Sequence, residues 1–371
     1  MKLTLLLLVG GGGQSSVEVE INLARLAAAQ DLLESCLESG AVEHAIVATD
    51  DPTWAKILRD PHITIDLDAS SESFHFGERL AGLIARYQVQ KALYAGGGAA
   101  PLVTPENWND ALRPLLSGQC NVVTNNIHSA DWVAFHPAQE ALPLIRAQAR
   151  DNSLAWTLGN EGGLDWHSLP PTAASRFDLD TPADLLVARA HSDIGVHLRA
   201  RLDKLDWPTE TVEGILSVMV EYGSNLAVIG RSSAASWAAL EKGTQCWVRM
   251  FAEERGMIAS GRLDRDEVGS LLAEFVARVG VDGFIGSLAT LSDAALFDTR
   301  VVLAAQGIWP DNSSRFNADL FHWHKVEDPF LRDLSKAASQ ASIPILLGGQ
   351  SVVSGGLMAL VQIAEERRSS Q

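Results

Sequence analysis

The stretch Lys91–Asn107 constrains this chain most. An apolar run, Ala92–Ala95, stops at three consecutive glycines, Gly96, Gly97 and Gly98, and is followed by Pro101 and Val103-Thr104-Pro105-Glu106. Thr104 suits a helix N-cap and Pro105 the first helical position, where a missing N–H costs nothing. A buried strand that ends in bare backbone before a helix is a regular ligand position in an open α/β sheet. Lacking Cβ atoms, such glycines let a phosphate or sugar approach the main chain. A tight strand-to-helix crossover with no ligand explains the same letters, and both readings stay open here.

The same grammar recurs along the chain. Leu3–Val9 reads as a first buried strand running into Gly10, Gly11, Gly12 and Gly13. It is also short enough for a signal-peptide core, but no small-x-small cleavage site follows, so a strand is the better reading. A helix is expected around 22–39, strands at 45–49 and 63–67, and a helix at 78–87. Further strands are expected at 121–125 and 132–136, and a short helix at 143–150. Thr181-Pro182-Ala183-Asp184 marks another helix start, with Asp184 favoured near its positive end. The polar segment 201–209, carrying Pro208, suggests a boundary, giving domains of 1–205 and 206–371. The second is expected to be a separate α/β unit, Rossmann-like in kind, with helices at 210–222 and 264–279. Its strands are expected at 226–230, 246–251, 299–304, 318–323 and 343–347, and a final helix runs to about 367.

At 371 residues two domains are the default. A formal net charge of −17 argues against nucleic acid and anionic membrane as partners, because the mean field repels phosphate. A small phosphorylated ligand survives that objection if glycine amides or a divalent metal supply local positive charge. Three cysteines, widely spaced and odd in number, fit a reducing cytoplasm. No run is long enough to span a bilayer. Self-association into a homo-oligomer is left open.

Asp178 and Asp180 stand two apart on an extended segment, so both carboxylates project to one face and suit magnesium. A strand end decorated by two acids is the alternative. The glycine-ended segments after 230 and 348 offer amides and hydroxyls at strand-to-helix junctions, with Arg231 able to grip an anion with two prongs. His322 and His324 would share a face if extended and could then hold a transition metal, against the simpler alternative of a polar strand end. The ten tryptophans are read as packing residues.

Residues 1 to about 200 resemble the GT-A-type nucleotidyltransferases, the molybdenum-cofactor and 2-phospholactate guanylyltransferase kind. Three places carry the likeness: Leu8–Ser16, Tyr94–Leu102, and Phe177-Asp178-Leu179-Asp180-Thr181-Pro182-Ala183-Asp184-Leu185. The resemblance implies a GT-A, Rossmann-like sheet and a loop Gly10–Gly13 that cradles nucleotide phosphates. It places Gly96–Gly98 and Pro101 beside the nucleotide, and Asp180, with Asp178, facing magnesium. A cytoplasmic nucleotidyltransferase, of the type found in cofactor biosynthesis, is the function it implies. Two departures are plain. Gly98 or Ala99 stands where the family has a metal-binding aspartate, and Val17-Glu18-Val19-Glu20 stands where it has a basic pair. Asp50 and Glu161 are nearby carboxylates that could replace the first. The alternative is a degenerate, non-catalytic nucleotide-binding or scaffold protein.

Overall fold

Leucine on both faces of Leu3–Val9 demands cover on both sides, which a central parallel strand provides. In the computed structural model, which describes residues 2–68 and 74–370, that strand is β1. It lies inside a seven-stranded mixed sheet with β2 (Val42–Thr49), β3 (Ile63–Leu67), β4 (Ala92–Gly96), β5 (Val122–Thr124), β6 (Trp132–Phe135) and β7 (Trp166–Ser168). The order is β3-β2-β1-β4-β6-β5-β7. β6 runs antiparallel to both β4 and β5, and the other pairs are parallel. The protein is thus of the α/β class.

The period-two alternation of the strands divides the core into two layers. Leu3, Leu5 and Leu7 join Ala45, Val47, Leu93 and Ala95 on one face, under Leu26, Leu32 and Leu33 of the first helix. Leu6, Ile46, Ala92 and Tyr94 join Phe76, Leu80 and Ile84 on the other. Trp108 and Trp132, both buried, meet edge to face at 5.0 Å. The helix after β1 spans Ser16–Glu38, earlier than the expected start near residue 22. The cause is local: Ser15 and Glu18 exchange hydrogen bonds across the first turn, as in a capping box. The helix Pro105–Leu116 is capped by Thr104 and Asn107 in the same manner.

Two compact units are distinguished. The first comprises residues up to Gly12, Asn22–Ser175 and Gly195–Arg201; the second comprises Gly13–Ile21, Arg176–Ile194 and Leu202 onward. The second unit holds an all-parallel sheet of β8 (Asn225–Gly230), β9 (Trp247–Ala252), β10 (Ala294–Asp298) and β11 (Ile345–Gly348). Its order is β11-β10-β8-β9. In chain order the strands read 2-1-3-4 across the sheet, so the winding reverses between β8 and β10.

Several expectations for this half are corrected. Residues 299–304 form the helix Arg300–Ala305, not a strand. Residues 318–323 end the helix Asn312–Asp319 and turn at Phe321, whose φ is 60°. A continuous apolar run does not distinguish a short buried helix from a strand, and β-branched Val301 and Val302 tilted the expectation wrongly. The helix expected from 264 begins at Leu271, capped by Ser270, and runs to Leu291 through a break at Gly280. The strand β10 was not foreseen. It is five residues long and starts with two alanines, so neither length nor propensity marks it.

Candidate active site

The ends of β1, β2 and β4 meet at a cavity of about 750 Å³ within the first unit. Gly10 and Gly11 line it from β1, Asp50 from β2, and Gly96 and Gly97 from β4. Parallel register explains the meeting. Leu8 pairs with both Ala48 and Gly96, so three strands finish at one level with their carboxyl ends exposed.

Two of these glycines answer local needs. Gly11 holds φ at +93°, which places its N–H on Asp50 Oδ2 at 3.2 Å. A Cβ on Gly97 would lie 2.8 Å from Val9 Cγ1, so only glycine lets β4 pack this closely on β1. Gly96 differs. A Cβ there would meet nothing nearer than the Tyr94 hydroxyl at 3.7 Å, and the position opens on the cavity.

Charge is supplied from outside the glycine loops. Arg25, on the first helix, and Arg150 both line the cavity, and neither forms an ion pair among the described residues. Arg79 also lines it but is committed: its guanidinium pairs with Asp66 at 3.0 Å and Asp68 at 2.6 Å. Burial raises Asp66, but Tyr87, Arg79 and Arg86 more than reverse this and hold it below the usual carboxylate range. Burial pushes Asp68 up, with Arg79 opposing and Asp50 adding to the rise.

Asp151 was missed by sequence reasoning, because it sits in an unremarkable polar turn, Arg150-Asp151-Asn152. Its Oδ2 accepts the Tyr94 hydroxyl at 2.8 Å and lies 4.0 Å from where a Gly96 Cβ would stand. Burial first, and then Asp151, pushes the Tyr94 phenol far above its ordinary value, so it stays a donor. Among the described residues, Asp50 and Asp151 each keep a second oxygen for a cation, the hard donor type that magnesium takes. Glu161 closes a π-helical turn, Thr157–Glu161, and is not part of the cavity wall.

The remaining sequence-derived residues are placed as follows. Gly12, Gly98 and Pro101 belong to the first unit but lie outside the cavity lining; Gly13 is grouped with the second unit. Asp178 and Asp180 are also in the second unit, on either side of buried Leu179, with Asp180 exposed. Asp184 caps the following helix, its Oδ2 accepting Thr181 N–H at 2.7 Å, Thr181 Oγ1 at 2.9 Å and Asp180 N–H at 3.1 Å. Burial, then the neighbouring Asp180, pushes Asp184 up to about 7.

Arg231 does not present a free fork. Its Nε and Nη2 bind Asp298 at 2.6 and 3.0 Å, and a second such pair joins Arg300 to Asp319. His322 precedes the 3-10 turn Trp323–Lys325 and His324 lies within it, so the two do not share a strand face. Among the described residues, the one group of three close metal-type ligands is Asp31, Glu34 and His197. There Asp31 already accepts the N–H groups of His197 and Leu198, and His197 Nε2 sits 2.9 Å from Glu34.

No protein-family model matches the chain, and no curated protein matches it. Among solved structures, it is similar to a CMP:2-keto-3-deoxy-manno-octonic acid synthetase complexed with CTP, at 16% identity. That match covers 51% of this chain and 98% of the other, with a TM-score of 0.38. A cytidylyltransferase from Leptospira borgpetersenii matches at 13% identity over 55% of this chain and 93% of its own, with a TM-score of 0.36. A 4-diphosphocytidyl-2C-methyl-D-erythritol synthase from Anaerococcus prevotii matches at 12% identity, over 51% and 97%, with a TM-score of 0.36. No described helix is long and apolar enough to cross a membrane.

Proposed function

We propose that the cavity of the first unit binds a nucleotide or a nucleotide-activated small molecule together with a divalent cation, in the manner of a nucleotidyltransferase. One observation carries this. Bare backbone from two different strand ends, Gly10–Gly11 and Gly96–Gly97, converges on one cavity that is also lined by two arginines without an ion pair among the described residues. The Gly11 and Gly96 N–H groups are engaged by Asp50 and by the Asp131 carbonyl, so the glycines supply room for a close approach and the guanidinium groups are the donors for phosphate oxygens. Carboxylates also line the cavity, at Asp50, Asp68, Glu78 and Asp151. A polyanion would be repelled by that wall unless a cation came with it. Magnesium bound there would neutralise phosphate charge. Arg25 and Arg150 would orient the phosphates, and Tyr94 would hold Asp151 in place. The Asp178–Asp180 pair remains the second carboxylate candidate for magnesium, to be tested separately.

A second reading keeps the fold and discards the chemistry. The basic pair of the resemblance is absent from the loop after β1, where Glu18 instead serves as a cap. A non-catalytic nucleotide-binding or scaffold protein would need no more.

Thermal melting of the full chain with GTP, CTP and ATP, each with and without magnesium, tests binding. A true ligand at a hundredfold excess over Kd contributes about 2.7 kcal/mol, a visible shift. A magnesium-dependent shift weakened by Asp151→Asn supports the cavity site, and one lost in Asp180→Ala supports the Asp178–Asp180 pair. No shift with any nucleotide contradicts the proposal. Release of pyrophosphate on adding acceptor mixtures separates the enzyme from the scaffold.

A further inference from the structure

The Gly10–Gly11 loop already holds an anion, and it belongs to the protein. β1 and β2 run in register to Val9 and Thr49, so the residues that follow, Gly10 and Asp50, leave the sheet side by side. The turn after Asp50 is fixed by its own hydrogen bonds. Asp51 N–H rests on Thr49 Oγ1 at 3.1 Å, and Asp51 Oδ1 caps Pro52–Ala55 through the Thr53 and Trp54 N–H groups at 2.8 and 2.9 Å. With the turn so held, the Asp50 carboxylate lies over the loop. Its Oδ2 accepts the Gly11 N–H at 3.2 Å, and its Oδ1 is 3.1 Å from where a Gly10 Cβ would stand. All three residues line the cavity of the first unit.

This carboxylate stands where an incoming anion would. The N–H of a glycine at φ +93° is a donor for an oxyanion, and Asp50 fills it. Two anions in contact repel unless positive charge lies between them. The Asp50 contact is replaceable, because it comes from a side chain. The Gly96 N–H, by contrast, is held at 3.2 Å by the Asp131 carbonyl, a backbone partner that cannot swing away. Arg25 and Arg150 line the same cavity without an ion pair among the described residues, so attraction for an anion exists apart from the loop.

We propose that Asp50 sets which anion the cavity takes: it holds the loop against bare phosphates and admits a polyphosphate that arrives as its divalent-cation complex. This role rests on the nucleotide reading of the cavity and adds a selecting residue to it. A bare phosphate must displace Asp50 from Gly11 or lie beside it, like charge against like charge. To a polyphosphate that brings its own cation, Asp50 is one more oxygen donor of the hard type that magnesium accepts, and the repulsion is removed. Glu78, on the helix Phe76–Arg86, also lines the cavity and is exposed, so it offers the same charge for comparison.

The test is calorimetric titration of the full chain with inorganic pyrophosphate, in EDTA and in magnesium, on the parent, Asp50→Ala, Asp50→Asn and Glu78→Gln. Melting temperatures establish first that each variant is folded. In EDTA, Asp50→Ala is expected to bind pyrophosphate about tenfold tighter than the parent, as one charge-assisted hydrogen bond would give. Asp50→Asn, which keeps an oxygen for Gly11 but not the charge, should fall between the two. Glu78→Gln should stay within about threefold of the parent, because an exposed charge off the loop is screened. The gain from magnesium should be large in the parent and small in Asp50→Ala. Pyrophosphate in EDTA should move the Gly11 amide resonance in Asp50→Ala and not in the parent. Equal binding by the parent and Asp50→Ala in EDTA, or an equal gain from Glu78→Gln, overturns the role of Asp50 and leaves the nucleotide reading standing. Pyrophosphate binding by none of the four proteins, with or without magnesium, overturns both.

Discussion

The Tyr94 hydroxyl donates to Asp151 Oδ2 at 2.8 Å, joining a buried strand residue to a carboxylate 57 positions later at the cavity. The Tyr94 ring is held independently, edge-on to Phe76 at 5.0 Å. Tyr94→Phe should therefore keep the packing and release only the carboxylate. A loss of about 1.5–3 kcal/mol in urea unfolding is expected, with a weaker nucleotide shift in the same variant. Unchanged unfolding and unchanged nucleotide binding would show that the contact positions nothing.

Arg231 and Asp298 form a buried pair in the second sheet, with side chains 7% and 0% exposed. Removing one partner strands the other charge. Arg231→Met is expected to cost about 3–5 kcal/mol, and adding Asp298→Asn should recover part of it. Denaturant unfolding of the single and double variants measures both. A cost under about 1 kcal/mol for the single variant would mean that water reaches the pair.

Asp184 sets a pH dependence of definite sign. Its folded value is raised to about 7, against about 3.9 in the unfolded chain, so the folded state holds the extra proton between the two. Its contribution to stability is fully present below about pH 4, falls as pH rises, and levels off above about pH 7. Asp184→Asn keeps an oxygen for the cap but cannot ionise, so stability at neutral pH relative to acid should improve over the parent. Parallel stability-versus-pH curves for the two proteins would contradict this.

The first sheet was largely legible because its signals were local. Leu3–Val9 and Ala92–Gly96 are apolar runs punctuated by glycine, and Thr104-Pro105 carries its own cap. The second sheet was harder. Ala294–Asp298 lacks β-branched residues and a glycine stop, and Arg300–Ala305 is apolar throughout after its arginine. The site divides likewise. Bare glycines announce themselves in sequence, whereas Arg25, Arg150 and Asp151 reach the cavity from segments with no motif. Arg231 was visible as a fork, but its partner Asp298 stands 67 positions away and only the fold brings them together.

The most direct measurement is calorimetric titration of the nucleotide–magnesium combination into Gly96→Val. A Cβ at Gly96 makes only ordinary van der Waals contacts, at 3.7 Å and beyond, and valine favours a strand, so the melting temperature should hold or rise. It also intrudes on the cavity where phosphate or sugar would approach, so affinity should fall by roughly tenfold or more. A folded Gly96→Val variant that binds nucleotide as tightly as the parent would contradict the account, because the ligand would not be using the bare end of β4.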